Sequence, residues 1–212
     1  ASIVTVTEQG KIKRSILNQY ASAARLKNGL RGFNLNDDDS LVTALIANEH
    51  DQLMIVTSNN VVNRFSIDDK NFIASGRGAK GVDGVRLDKK DVVVNGVKQS
   101  EYFETVVDAI IVPVENVKYK TVMSDNYVLD EENGTISFLG KKYRIDGQKS
   151  EEVIDNTEID ANKYLLTISE NGVGKKTELS DFKLQKRKSK GLKLMKESDK
   201  TGKLIKIAIV TD

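Results

Sequence analysis

Residues 6–14 read VTEQGKIKR, residues 56–64 read VTSNNVVNR, and residues 168–176 read ISENGVGKK. Each is an apolar strand that ends in a hydroxyl residue (Thr7, Thr57, Ser169), then a turn, then a strand that closes on a base (Arg14, Arg64, Lys176). About 10 to 13 residues later a second element recurs as RLKNGL at 25–30, RGAKGV at 77–82 and RKSKGL at 187–192. Its common form is an arginine, three residues, a glycine and an aliphatic: Arg25/Gly29/Leu30, Arg77/Gly81/Val82 and Arg187/Gly191/Leu192. A third element closes each unit, LVTALIANE at 41–49, VVDAIIVPV at 106–114 and LIKIAIVTD at 204–212. Three elements in one order mark an internal repeat, which decides fold class before any single residue does.

Thr7 and Thr57 are 50 residues apart, whereas Thr57 and Ser169 are 112 apart. The doubled interval predicts a fourth, degenerate unit near 117–162, giving units of about 1–50, 51–116, 117–162 and 163–212 in one domain spanning 1–212. Strand signals run throughout: Ser2 to Val6, Leu41 to Ala47, Leu53 to Val56, Val92 to Val94, Val106 to Val112, Tyr164 to Ile168 and Leu204 to Val210. Asn95-Gly96, Asn133-Gly134 and Asn171-Gly172 supply turns, because both residues tolerate positive φ. Only Asn18 to Leu26 reads as weakly helical, and the lone proline, Pro113, falls at the end of the 106–112 strand. The expectation is an all-β, propeller-like array of about four four-stranded blades.

Composition excludes several classes. The 212 residues are 39% hydrophobic and contain no cysteine, so disulfides, thiolate metal sites and cysteine nucleophiles are ruled out. One histidine, His50, leaves little for a histidine-based metal site or a triad, and it reads as a polar loop residue. No apolar run approaches the roughly 18 residues of a membrane span, and no signal-peptide pattern opens the chain. Because the chain begins at Ala1, it is expected to be a piece of a longer protein. The net charge of +2 conceals a segregation. Residues 1–100 carry 14 bases and 11 acids, residues 101–162 carry 6 and 14, and residues 163–212 carry 13 and 6. Such a surface either simply solvates the fold or attracts a polyanion on one side while repelling it on the other.

The repeat resembles that of the C-terminal domain of the A-type subunit of bacterial type IIA topoisomerases, gyrase and topoisomerase IV. The likeness covers most of residues 3–114 and 164–212 and is weak over 117–162. Its most specific piece is Gln185-Lys186-Arg187-Lys188-Ser189-Lys190-Gly191, similar to the gyrase box Gln-Arg-Arg-Gly-Gly-Lys-Gly at Gln185, Arg187, Lys190 and Gly191. In gyrase the intact box stands in the first blade. Here the matching place, Ala23 to Gly29, keeps only Arg25 and Gly29, which fits a topoisomerase IV-like or divergent protein better. The resemblance implies a β-pinwheel whose blades exchange strands and whose basic rim binds duplex DNA and bends or wraps it. It further implies a noncatalytic domain without a cofactor, with DNA cleavage in another domain of an ATP-dependent enzyme. Its partners would be duplex DNA, the ATPase subunit of the enzyme, plus the rest of the A-type subunit. Their place would be the cytoplasm of a bacterial or phage-infected cell, in association with the nucleoid.

Arginine supplies a permanently charged planar fork, and a glycine lets the backbone approach a phosphate closely. On that ground Arg25, Lys27, Arg31, Arg77, Lys80, Lys186, Arg187, Lys188 and Lys190 are the expected DNA contacts, with Gly29, Gly81 and Gly191 as loop glycines. Contacts to the backbone rather than to base edges predict little sequence preference. Against this stands the plainer reading that the glycines only turn the chain and the bases only keep it soluble. Arg14, Arg64, Lys175 and Lys176 end strands and are equally suited to pairing with acids. Gly76 to Gly81 resembles a phosphate-cradling loop but lacks its Lys-Ser/Thr ending and following helix, and Asp37-Asp38-Asp39 reads as an acidic turn rather than a cation site. No metal site or catalytic constellation is expected. The competing function is a propeller-like protein-interaction module that docks a basic partner through the acidic 101–162 segment.

Overall fold

The computed structural model describes residues 1–21, 27–68, 72–114 and 159–211, and within 115–158 the backbone of its strands. The chain divides into two compact units, Ala1–Val114 with Ile159–Asp212, and Glu115–Glu158.

The first unit is built on the repeat. Strand β1 (Ser2–Thr7) pairs with β2 (Lys11–Ile16) and with β3 (Leu41–Ala47). The same plan recurs in β4 (Gln52–Thr57) and β5 (Val61–Ser66). It is extended by the two-residue strand β6 (Val82–Asp83), the hairpin of β7 (Lys89–Val94) and β8 (Val97–Tyr102), and β9 (Val106–Val112), which pairs with β4. The hairpin turns at Asn95-Gly96, both at positive φ (52° and 79°), as that dipeptide requires. In each repeat the ladder slips at the hydroxyl residue, between Val6 and Thr7, Val56 and Thr57, and Ile168 and Ser169. The hydroxyls serve the turns there: Thr7 Oγ1 accepts from the Lys11 amide at 3.0 Å, and Ser169 Oγ donates to the Val173 carbonyl at 3.1 Å.

The second unit contains β10 (Lys118–Thr121), β11 (Val128–Asp130), β12 (Thr135–Phe138), β13 (Lys141–Arg144) and β14 (Ser150–Val153). β10 pairs with β14, and β11, β12 and β13 form an antiparallel meander. The degenerate unit expected near 117–162 falls largely here, as one two-stranded and one three-stranded sheet. The Asn133-Gly134 turn lies outside the described residues.

The first unit resumes with β15 (Lys163–Ser169), β16 (Gly174–Glu178), the two-residue β17 (Leu192–Lys193) and β18 (Leu204–Thr211). Besides the two-stranded β7-β8 hairpin, its sheets are β3-β1-β2-β6, β17-β5-β4-β9 and β16-β15-β18. The fourth strand of each of the first two sheets therefore comes from the following repeat. β6 adds to β2 with Val82 opposite Ile12, and β17 adds to β5 with Leu192 opposite Val62. The seam from the second repeat thus runs directly to residues 163–211. The weakly helical stretch at 18–26 is a short 3-10 turn over Leu17–Tyr20, and residues 22–26 lie outside the described residues.

Packing follows from this order. Every residue of β4 is buried, because its sheet stands between the other two, and Val4, Val6, Ile12, Leu53, Ile55, Phe65, Phe72 and Val106 share one apolar cluster. Each fully buried aliphatic there contributes about 1.5–3 kcal/mol. Two of the repeated second-strand bases, Arg14 and Arg64, brace the seams. Arg64, 2% exposed, holds Asp160 bidentately (3.0 and 2.6 Å) and donates to the Leu179 and Phe182 carbonyls and to Gln52 Oε1. At the equivalent place Arg14 donates to Ser2 Oγ and to the Phe72 carbonyl. Lys176 lies 3.8 Å from the centroid of the Tyr164 ring. Buried charge is tolerated only when it is paired and hydrogen-bonded in this way.

Candidate nucleic-acid interface

The Arg-x-x-x-Gly loops lie where one repeat hands its strand to the sheet before it. Gly81 (φ +73°) and Gly191 (φ +81°) both occupy the left-handed region that favours glycine. A Cβ on Gly81 would stand 2.6 Å from the Ile12 carbonyl oxygen, and one on Gly191 would stand 2.5 Å from that of Val62. Glycine is therefore required twice over, for the turn and for the contact with the acceptor strand. Gly29 has the same sign of φ (+67°), but a Cβ there meets nothing within 4 Å.

The loop arginines reach back across the seams. Arg77 Nη1 donates to the Arg31 carbonyl at 3.1 Å, and Arg187 Nη1 donates to the carbonyl of Asp83. Arg31 and Asp83 each stand two residues after their own loop glycine, so one bond repeats at both seams. Within each repeat, a side-chain nitrogen on the residue just before the closing base (Arg14, Arg64, Lys176) supports the carbonyl three residues beyond the glycine. These are Lys13 to Gly32, Asn63 to Gly84 and Lys175 to Leu194. Lys13 also donates to the Arg77 carbonyl, and burial, followed by the Arg77 charge, lowers its pKa below the usual lysine value. Asp83 links the two seams, binding Lys11 at 2.5 Å across the first and Lys188 at 2.6 Å across the second. Burial alone would raise its pKa, but hydrogen bonds and charge from the two lysines outweigh that and hold the carboxyl at about 2.

These contacts join the three basic loops end to end. The 27–32 loop meets the 76–84 loop through Arg31 and Arg77, and through Asn34, whose amide donates to the Ala79 carbonyl at 3.2 Å. The 76–84 loop meets the 185–191 loop through Asp83 and through the Lys188 amide, which donates to the Gly84 carbonyl at 3.0 Å. Lys27, Arg31, Lys80, Lys186, Lys188 and Lys190 are exposed along this path, while Arg77 and Arg187 are half-buried as seam braces. Arg25 lies outside the described residues. Lys11 and the exposed Arg86 adjoin the same path and were not anticipated. Lys11 could have been found from its place one residue before the exchanged strand's apolar partner, Ile12. Such a row of ammonium and guanidinium groups presents charge to a chain of phosphates without reading bases.

The other sequence features take their plainer roles. Asp39 accepts from the Gln9 and Ser40 amides as a turn carboxylate, and Gly76 to Gly81 leads into β6 rather than a helix. The His50 amide donates to the Ile67 carbonyl from a positive-φ turn. Among the described residues, no three His, Cys, Asp or Glu side chains are placed to hold a metal, and no helix is long and apolar enough to cross a membrane.

The family model described as DNA gyrase C-terminal domain, beta-propeller, matches residues 1–48, 51–98 and 163–211. Its three matches fall on the three repeats and pass over the second unit. DNA gyrase A from Metamycoplasma arthritidis is 25% identical over 214 residues, covering all of this chain and 22% of the relative. DNA gyrase A from Helicobacter pylori is 26% identical over 212 residues, covering all of this chain and 18% of the relative. The chain thus spans about a fifth of the length of these relatives. Among solved structures, a DNA gyrase A C-terminal domain superposes with a TM-score of 0.60 at 20% identity, over 99% of this chain and 49% of the other. The E. coli ParC C-terminal domain superposes with a TM-score of 0.57 at 12% identity, over 99% and 62%. Both have the same fold.

Proposed function

Starting from the fact that this chain belongs to the DNA gyrase C-terminal β-propeller family, we propose that it is a noncatalytic domain that binds duplex DNA along its joined basic loops and bends it. The supporting observation is the continuity of those loops: two repeated hydrogen-bonded seams align Lys27, Arg31, Lys80, Lys186, Lys188 and Lys190 on one path. A row of exposed cations spread over successive sheets engages successive phosphates, and DNA that follows a curved row must bend. Recognition then rests on charge and deformability, with little preference among sequences. In this reading the domain needs no cofactor. It serves the A-type subunit of a type IIA topoisomerase in the cytoplasm, beside the nucleoid, with cleavage and ATP hydrolysis carried out elsewhere in the enzyme.

The roles divide by exposure. Lys80, Lys186 and Lys190 meet phosphate directly, whereas Arg77 and Arg187 fix the loops that carry them. The test is binding to a mixed-sequence duplex of about 40 base pairs across a salt series. Each phosphate contact adds about 0.9 to the logarithmic salt slope, so the triple variant Lys80→Ala/Lys186→Ala/Lys190→Ala should lose about 2 to 3 from it. Its thermal midpoint should stay unchanged. A variant that binds with the parent's affinity and slope would remove these loops as the interface. Ligation of nicked circles with the domain bound then reads bending.

A further inference from the structure

An acid interrupts the row of bases at its middle loop. The residue two places after the loop glycine is Arg31 in the first repeat, Asp83 in the second and Lys193 in the third. Arg31 and Lys193 are exposed. The Asp83 carboxylate instead lies between lysines of the other two repeats, with Lys11 at 2.5 Å on one oxygen and Lys188 at 2.6 Å on the other. Both lysines belong to the path along which the loops join.

The backbone fixes this contact from both sides. Lys188 holds a left-handed conformation, φ +67°, which disfavours any residue with a side chain. Its amide donates to the Gly84 carbonyl at 3.0 Å while its ammonium reaches Asp83, so both ends of the residue grip the 83–84 segment. Strained backbone of this kind persists where surrounding contacts over-determine it. From the first repeat, Lys11 stands directly opposite Asp83 in the β2–β6 pairing, where opposite charges attract across the ladder. The Asp83 carbonyl receives Arg187 Nη1, so the peptide group beside the carboxylate is held as well.

A lysine held in this way is poorly placed to meet phosphate. A phosphate approaching either ammonium must displace an anion tied to the same fold, and until then it meets that anion's charge at close range. We propose that Asp83 is an internal counterion of the nucleic-acid interface, holding Lys11 and Lys188 back from the phosphate chain and lowering the affinity for duplex at the middle of the row. The inference rests on the reading of the basic loops as the DNA interface. Lys80, Lys186 and Lys190, exposed on either side of Asp83 in the chain, supply the contacts, and Asp83 sets how tightly the duplex is held between them.

Asp83→Asn keeps the shape of the side chain and the carbonyl that receives Arg187, and removes only the charge. On a mixed-sequence duplex of about 40 base pairs it should bind more tightly than the parent, with a salt slope steeper by about 0.9 for each lysine released and about 1.8 for both. With that difference its advantage shrinks about tenfold between about 50 and about 200 mM salt. Lys11→Gln/Lys188→Gln should take less than about 0.9 from the parent's slope, a result that needs no change at Asp83. In that double variant, adding Asp83→Asn should leave the slope unchanged, because no held cation remains to be released. An equal gain there would mean that the acid acts through its general field, and would overturn the proposal. It is also overturned if Asp83→Asn keeps the parent's slope while Lys80→Ala/Lys186→Ala/Lys190→Ala lowers it, a result that leaves the loop interface standing. If neither variant moves the slope, the interface falls and this inference with it.

Discussion

Asp83 ties the two seams together more than its exposure suggests. Its carboxylate joins Lys11 of the first repeat to Lys188 of the third, and its carbonyl receives Arg187. With the folded carboxyl at about 2 and its ordinary value at 3.8, the unfolded chain binds the extra proton between those values. The stabilisation is complete above about pH 4 and is lost as the pH falls toward 2. Because the side chain is 38% exposed, solvent screening keeps the effect modest. Asp83→Asn should therefore show a shallower fall in thermal midpoint between about pH 5 and about pH 2.5 than the parent. Parallel curves would mean the two lysines stabilise nothing through this group. Residue identity also separates braces from contacts. Arg64 is enclosed by Asp160 and three further acceptors, while Lys80 and Lys190 extend into solvent, although all of them are simply bases in the sequence.

At the scale of elements, β6 and β17 are two residues long and owe their existence to the strands they join. Neither has enough apolar periodicity to be recognised alone; their signal is the glycine before them. Alanine at Gly81 or Gly191 combines a left-handed penalty of about 1–2 kcal/mol with a close contact on a carbonyl. Gly81→Ala and Gly191→Ala should each lower the denaturation free energy by about 2–4 kcal/mol, measured in urea. Losses under about 1 kcal/mol would show that the exchanged strands are dispensable. The long strands, by contrast, were legible almost to the residue. The predicted runs at 41–47 and 106–112 are β3 and β9, because branched apolar residues flanked by turns leave few alternatives. The Val92 to Val94 run and its Asn95-Gly96 turn were legible for the same reason, whereas the second hairpin strand, β8, has too little apolar alternation to be read.

For the molecule as a whole, the order of the three sheets sets a gradient of protection. In the middle sheet β4 is buried throughout and paired on both sides, with β5 and β9, whereas β16 is exposed along most of its length. Amide exchange should be slowest in β4 and β5 and fastest in β16. Equal protection across the three sheets would contradict that order. The candidate interface is also a property of the whole, since its cations come from three repeats and lie on one path only because the seams align them.

The sequence by itself determined the all-β class, the repeat, the positions of the long strands and the identity of the basic loops. Local alternation, turn chemistry and self-similarity are encoded within a few dozen residues, so they can be read without knowing what each segment touches. Only the tertiary structure decided which loop bases brace a seam and which face solvent. It also decided that the second sheet takes its fourth strand from 192–193. Those outcomes depend on hydrogen bonds between residues about 50 to 130 positions apart. No local pattern specifies such partners; they arise when the repeats pack and each exposed edge takes the strand that fits it.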